Sequence, residues 1–395
     1  MVAKTLIVTL VILSFSFNTL EGNVINSTWI GSDSSLWSDR SSWNPSIKPA
    51  NNSTDSFFVT ISTIERTRIV FTENITISRL DCYGNIDLEV GEYRLQIVDI
   101  NDLSKKGTLN NYGTLQISGV GVEHEIYANI VNTDDAEILV SNEINVYGAF
   151  NNLGTILVLP SGHLFCNDSF VNSGNVQIYN ALLECPDNNF ENNDTGIIQG
   201  SGMIHTNLSI LNHGKIQAKG GSFVLNSFTS LINNGVLENT PLSSLHIQTV
   251  EDVKNFGTID VNAGGGVAFD CNLVNEPNAT IMLLNGTLAA KTITQKAGAI
   301  LKGFGGITSD IMIEPNALVK LIGPTNIVGN MTIGEGAMLD ISNGTVLVTG
   351  DLTCDNGIIQ TTNGTIIILG ETKGICQRKF IDTDEPNAVD LTSTQ

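Results

Sequence analysis

From residue 109 onward the chain repeats one short pattern of apolar and polar positions. Asparagine recurs at Asn111, Asn132, Asn152, Asn172, Asn192, Asn212, Asn233, Asn255 and Asn275, in steps of 21, 20, 20, 20, 20, 21, 22 and 20 residues. Two positions before each stands an apolar residue: Leu109, Ile130, Phe150, Phe170, Phe190, Ile210, Leu231, Val253 and Leu273. Glycine follows two positions later at Gly113, Gly154, Gly174, Gly214, Gly235 and Gly257. Where Asp134, Asp194 or Pro277 replaces it, the next apolar run starts about two residues late, at Ile138, Ile198 and Ile281. After the turn, runs such as Leu115-Gln116-Ile117, Val176-Gln177-Ile178 and Ile259-Asp260-Val261 alternate apolar and polar, the period of a half-buried strand.

A 20-residue period of short strands and glycine turns predicts an all-β fold, a parallel β-helix in which each repeat is one coil. Equivalent strands then stack about 4.8 Å apart. Phe150, Phe170 and Phe190 should stack inside, and the asparagines should form a hydrogen-bonded amide ladder along the axis. The pattern continues with alanine at the corner in Gly298-Ala299-Ile300, Asn316-Ala317-Leu318 and Gly336-Ala337-Met338, and reaches Asp355-Asn356-Gly357. Upstream, Val90-Gly91-Glu92-Tyr93-Arg94-Leu95 is read as one step before Asn111. The expected solenoid covers 57–371 in about 15 coils, about 70 Å long, with the right-handed crossover as the default. A sandwich does not repeat at a fixed 20 residues, and propeller blades need about 40 each.

Outside the repeat, residues 1–22 read as a signal peptide, with Lys4 ahead of the short apolar stretch Thr5 to Phe17. That stretch is short for a membrane span, and residues 372–395 are expected to be a polar tail. Twelve N-glycosylation sequons agree with secretion: Asn26, Asn51, Asn52, Asn74, Asn167, Asn193, Asn207, Asn278, Asn285, Asn330, Asn343 and Asn363. A net charge of −21 argues against a nucleic-acid partner, which needs a basic face. No arginine occurs between Arg94 and Arg378, so a polyanion would meet a repelling surface along most of the chain.

Residues 23–56 differ in character and hold the three tryptophans, Trp29, Trp37 and Trp43. Two readings are available: a cap that plugs the first coil, which the atypical ends of solenoids favour, or an aromatic platform for sugars. The run Trp29-Ile30-Gly31, Trp37, Trp43-Asn44 and Asp55 to Ile61, followed by 20-residue coils, resembles secreted β-helix surface proteins of the autotransporter-passenger and filamentous-haemagglutinin-like kind. The resemblance is architectural and spans nearly all of the chain after the leader. It implies an adhesin or surface-layer role, and not the autotransporter export route, since no outer-membrane barrel is evident and sequons are present.

Six cysteines in an oxidising compartment suggest disulfides. Cys166 with Cys185 and Cys354 with Cys376 are each about one coil apart, which leaves Cys82 and Cys271 free and buried. No Cys-x-x-Cys spacing exists and the five histidines are scattered, so neither zinc nor any cofactor is expected. Asn132-Thr133-Asp134 and Asn212-His213-Gly214 resemble polygalacturonase motifs, but four coils, about 19 Å, separate them. The outward residues after the ladder glycines (Thr114, Thr155, Asn175, Lys215, Val236, Thr258) form no regular threonine array of the ice-binding kind. One carboxylate pair, Glu238 and Asp260, falls on adjacent coils facing outward. Retaining glycosidases hold two carboxyls about 5 Å apart; two solvated surface acids are the simpler account.

The sequence therefore predicts a secreted extracellular structural or adhesive protein without catalytic activity, whose partner is an extracellular protein or a neutral glycan. The alternative is a carbohydrate-binding or carbohydrate-active β-helix of the glycosidase type. An enzyme would interrupt its coils with long loops around a cleft, and coils of 20 to 22 residues leave little room for them.

Overall fold

The computed structural model describes residues 23–380, apart from 33–34, 100–101, 103–104 and 120–122. The described chain is a parallel β-solenoid of about 16 turns with essentially no helix. Along the stack, strands pair in parallel with their counterparts one coil on, so that Leu109, Ile130, Phe150, Phe170, Phe190 and Ile210 stand in one column. Where the turn lacks glycine, its extra residues are absorbed there and register survives: Leu115 faces Ile138, Val176 faces Ile198 and Ile259 faces Ile281. The alternation of the strands sends Val176 and Ile178 into the core while Gln177 stays at the surface. Phe150 and Phe170 stack at 5.5 Å between ring centroids, Phe170 and Phe190 at 5.0 Å.

The asparagine ladder forms as the spacing predicts. Every rung from Asn111 to Asn255 donates from Nδ2 to Oδ1 of the asparagine one coil on, at 2.7–2.9 Å. Asn275 continues the chain to Gln295 Oε1 at 3.0 Å. The second amide hydrogen reaches a backbone carbonyl of the adjoining turn, as from Asn132 to Thr155 O at 3.0 Å. Full satisfaction lets nine asparagines sit essentially inaccessible to water inside a column that is otherwise apolar. The ladder is bounded by apolar rungs, Cys82 before Asn111 and Ile313 after Gln295. The coil from Cys82 to Asn111 is longer than the expected 20 residues, because residues 98–107 are inserted there and closed by an isolated bridge between Val98 and Lys106.

Beyond the ladder the corner changes its chemistry. Asn278, Gly298, Asn316, Gly336 and Asn356 all adopt left-handed backbone, with φ of 70°, 80°, 63°, 66° and 50°. Only glycine and asparagine enter that region at low cost, which accounts for their alternation before the buried Ala279, Ala299, Ala317 and Ala337. A second polar ladder runs along another corner. Asn129, Asn189, Asp310, Asn330 and Asp351 accept through Oδ1 from the backbone N–H one coil on, at 2.8–3.1 Å.

The ends of the stack differ from the expected bounds of 57–371. At the N-terminal end, the strand Asn23–Trp29 already pairs in parallel with Asp55–Ser62 and antiparallel with Trp43–Asn44. At the other end, Thr372–Phe380 pairs with Leu352–Thr362, so the coils run nine residues into the segment expected to be a tail. The strand Asn23–Trp29 thus extends the stack by one rung on the N-terminal side of Asp55–Ser62. The signal-peptide reading of 1–22 and the remainder of the tail, 381–395, lie outside the described residues.

Of the two disulfides expected, Cys354–Cys376 is formed, with 5.4 Å between Cα atoms. Cys166 and Cys185 remain free, as do Cys82 and Cys271, and all four are buried. The two pairs differ in register. Cys354 stands opposite Gly374, so Cys376 lies diagonally, at a slip in the pairing. Cys166 and Cys185 continue an in-register stack, whose Cβ atoms stay about 4.8 Å apart, beyond the usual reach of a disulfide.

Candidate functional site

The solenoid sets its outward side chains in columns, and the candidate carboxylates share one. Gln199, Gln217, Glu238 and Asp260 are successive rungs. Glu238 is held by Lys215, with Nζ 2.7 Å from Oε1, and accepts a short hydrogen bond from Gln217 Nε2. Asp260 is half-buried, and its Oδ1 has no hydrogen-bond partner. Burial, and then the neighbouring charge of Glu238, push the Asp260 carboxyl above the usual carboxylate range. The sequence thus correctly pairs the two groups. A carboxyl shifted toward protonation beside a second carboxyl is one element of acid–base chemistry.

The surroundings do not complete a site. The pair lies on a sheet face and lines neither of two hollows among the described residues. One hollow of about 770 Å³ is lined by Glu92, Tyr93, Glu123, Glu125 and Glu143 among others. In it Glu125 is taken by Arg94, at 2.7 Å from Nε, and Glu123 accepts from Asn145 at 3.2 Å. The other, about 640 Å³, is lined by Leu242, His246 and the Gly264–Gly266 turn.

The tryptophan platform is not formed. Trp29, Trp37 and Trp43 are 3%, 0% and 0% exposed, and they pack edge-to-face at 4.8 Å, with Phe71 against Trp37 at 4.9 Å. Trp37 Nε1 donates to Pro49 O and Trp43 Nε1 to Trp37 O, each at 2.9 Å. The ring faces a sugar would need are spent on one another, which corrects the ligand-binding reading of these three residues. Two tyrosine pairs stack on the outside of the coils: Tyr83 on Tyr112 at 4.5 Å and Tyr127 on Tyr147 at 4.3 Å, with the Arg94 guanidinium 4.4 Å from the Tyr127 ring centre. Stacking along the axis leaves ring edges outward.

Another cluster escaped the sequence reading. His163 Nε2 lies 3.1 Å from Glu184 Oε2, His205 Nε2 lies 3.9 Å from the other oxygen, and Glu143 Oε1 is 3.7 Å from His163 Nδ1. These residues recur at steps of 20, 21 and 21, so the coil period itself was the signal that finds them. Among the described residues no group of three or more His, Cys, Asp or Glu is arranged to hold a metal ion, and no helix is long and apolar enough to cross a membrane.

Nine of the sequon asparagines are exposed: Asn26, Asn52, Asn74, Asn207, Asn278, Asn285, Asn330, Asn343 and Asn363. Asn51, Asn167 and Asn193 are partly buried, and Asn51 and Asn193 spend Nδ2, the atom a glycan would need, on Ser78 and Ser173 at 2.9 Å. Compared with known proteins, the chain matches no family model, no curated protein and no solved structure at a significant level.

Proposed function

We propose that the protein is a secreted extracellular structural or adhesive protein that presents a rigid acidic surface and catalyses no reaction. The observation that carries this reading is the regularity of the coils. From Asn111 to Asn275 no step exceeds 22 residues, which leaves little room for a long loop to wall a cleft. Strand register fixes the spacing of every outward column, which suits a surface for display. Exposed sequons at the corners fit glycosylation on the secretory route. The charge of −21 leaves an extracellular protein or a neutral glycan as the fitting partner. Within this reading the coil architecture resembles that of autotransporter-passenger and filamentous-haemagglutinin-like surface proteins.

Glu238 and Asp260 favour a second reading, a carbohydrate-active or carbohydrate-binding coil, because one carboxyl of the pair is shifted toward protonation. The two readings separate in one experiment. The chain is produced by a eukaryotic secretory host and tested for cell binding, glycan-array binding and hydrolysis of soluble glycans. Asp260→Asn and Tyr112→Ala variants are run beside it. The structural and adhesive reading expects glycosylated protein in the medium, no hydrolysis, and cell binding indifferent to Asp260→Asn. Intracellular retention, or glycan hydrolysis abolished by Asp260→Asn, refutes it.

A further inference from the structure

One corner of the solenoid carries a leucine where the backbone calls for glycine or asparagine. On successive turns of this corner Gly220, Gly264 and Asn285 adopt left-handed backbone, with φ of 75°, 70° and 63°, and Leu242 does the same at 65°. The strands on either side hold their register through these turns: Ala218 faces Asn239, Ser244 faces Gly266 and Gly266 faces Thr287. Glycine and asparagine enter that region cheaply and leucine does not. The other left-handed non-glycines among the described residues are all asparagine, apart from Ser161. Leu242 is also 83% exposed, so its strain secures no place in the core. Strain kept without a packing gain points to a task at the surface.

Leu242 walls the hollow of about 640 Å³, a volume within the range of small-ligand sites. Gly266, Ala268 and Ala289 lie on adjacent rungs across its floor, and their small size gives it depth. Among the described residues its lining holds no lysine, arginine, aspartate or glutamate, in contrast to the glutamate-lined hollow at Glu92. It offers hydroxyls instead. Those of Ser222, Ser244 and Thr287 make no hydrogen bond among the described residues. His246 holds Asp270 through Nε2 at 2.7 Å and keeps Nδ1 for another partner. An apolar wall over an uncharged, hydroxyl-bearing floor matches a sugar ring, which has a C–H face and a rim of hydroxyls.

We propose that this hollow seats the protein's own N-glycan, carried on Asn285, with its first N-acetylglucosamine packed against Leu242. Asn285 and Thr287 are the first and third residues of an Asn-Gly-Thr sequon, and both line the hollow. The Asn285 side chain is exposed and makes no hydrogen bond among the described residues, so Nδ2 is open to the transfer. A glycan joined there starts at the rim. Gly264 lies on the turn between Asn285 and Leu242, and a Cβ in its place would come within 2.8 Å of Leu242 Cδ2. Glycine thus leaves the leucine room to lean along the corner toward the sugar. The covalent tether keeps that sugar at millimolar effective concentration, so a seat too weak to retain free sugar is filled by the attached one. The inference rests on the extracellular reading, because the chain must pass the glycosylation machinery.

The test is the rate at which a peptide N-glycosidase releases each glycan from the native full chain, made in a eukaryotic secretory host and read site by site by mass spectrometry. Asn343 and Asn363, exposed and left-handed on later coils, are the internal references. Leu242→Gly removes the wall and suits the backbone, and circular dichroism and thermal melting confirm its fold. Release at Asn285 should be about tenfold slower than at the references in the wild type, equal to them in the denatured chain, and equal to them in native Leu242→Gly. Native wild-type release as fast as at Asn343 overturns the proposal, as does protection that survives Leu242→Gly. So does an unmodified Asn285 in a chain whose other sequons carry glycans. A chain retained in the cell with no glycan at any sequon refutes the extracellular reading itself, and this proposal with it.

Discussion

Replacing Asn192 with alanine removes one rung from the middle of the amide ladder. Asn192 accepts from Asn172 at 2.8 Å and donates to Asn212 at 2.8 Å. Truncation leaves a buried donor and a buried acceptor unpaired, each at a cost of about 1–3 kcal/mol. Asn172 Nδ2 keeps two long contacts, to Gly174 O at 3.3 Å and Ile197 O at 3.4 Å, which relieve part of its loss. The net penalty is about 3 kcal/mol, or roughly a hundredfold in the opening equilibrium of the surrounding coils. Gln295→Leu supplies the contrast. Its Nε2 already lacks a partner, the next rung is Ile313, and Asn275 Nδ2 keeps Ile300 O at 3.2 Å. That change should stay within about 1 kcal/mol. A solenoid opens coil by coil, so hydrogen exchange resolved by peptide is the right assay and a single global melt is not. Protection should fall across Phe170–Asn172, Phe190–Asn192 and Ile210–Asn212 and hold in distant coils. A loss below about threefold, or equal losses in the two variants, would show that the ladder does not stabilise the stack as argued.

Thiol titration in denaturant without reductant should find four reactive cysteines, and Cys354→Ser should loosen only the last coils. The 22-residue separation of the bridge sets the entropic stabilisation at about 3 kcal/mol; two reactive thiols would mean that Cys166 and Cys185 are bridged after all. Asp260 titrates above its unfolded value, so the folded state binds its proton more tightly and stability falls as pH rises through that shifted range. Asp260→Asn should therefore stabilise its coil at neutral pH and make no difference well below pH 4, read by exchange at both pH values; a loss at neutral pH contradicts this. Trp37→Ala should cost about 3–5 kcal/mol in the first coils, and wild-type tryptophan emission should be blue-shifted and shielded from iodide. Strong quenching would place the rings at the surface.

The period was legible because a ladder needs the same residue at the same place in every coil. One unmatched amide is costly, so Asn111 to Asn275 stay identical where the apolar columns drift among Leu, Ile, Val and Phe. The pairing of Glu238 with Asp260 followed from the same arithmetic. The tryptophans were legible only in part: the atypical ends of solenoids favoured a plug, but the same rings also suit a sugar platform. Their burial depends on Trp43–Asn44 folding back along Asn23–Trp29, a contact that no periodicity encodes. The last coil was missed because Thr372–Phe380 carries Lys373, Gln377, Arg378 and Lys379 and reads as a polar tail, although its backbone completes the stack. Cys166 and Cys185 were correctly judged neighbours. Whether neighbours bond depends on the direction of their Cβ atoms, which spacing does not specify. The corner acceptors Asn129, Asn189 and Asp310 went unnoticed because they accept from backbone, so any short side chain with a carbonyl or carboxylate oxygen serves and identity is not preserved.

Pulsed electron–electron distances tell most directly whether the coils form one unbroken rod, on which the functional proposal depends. Spin labels pair Gln177 with Asp260, Lys302 or Gln360, which lie four, six and nine rungs along a single outward column. At about 4.8 Å per rung the account predicts narrow distributions near 19, 29 and 43 Å, growing linearly. Distances that plateau, broaden with separation or fail to order by rung number would contradict it.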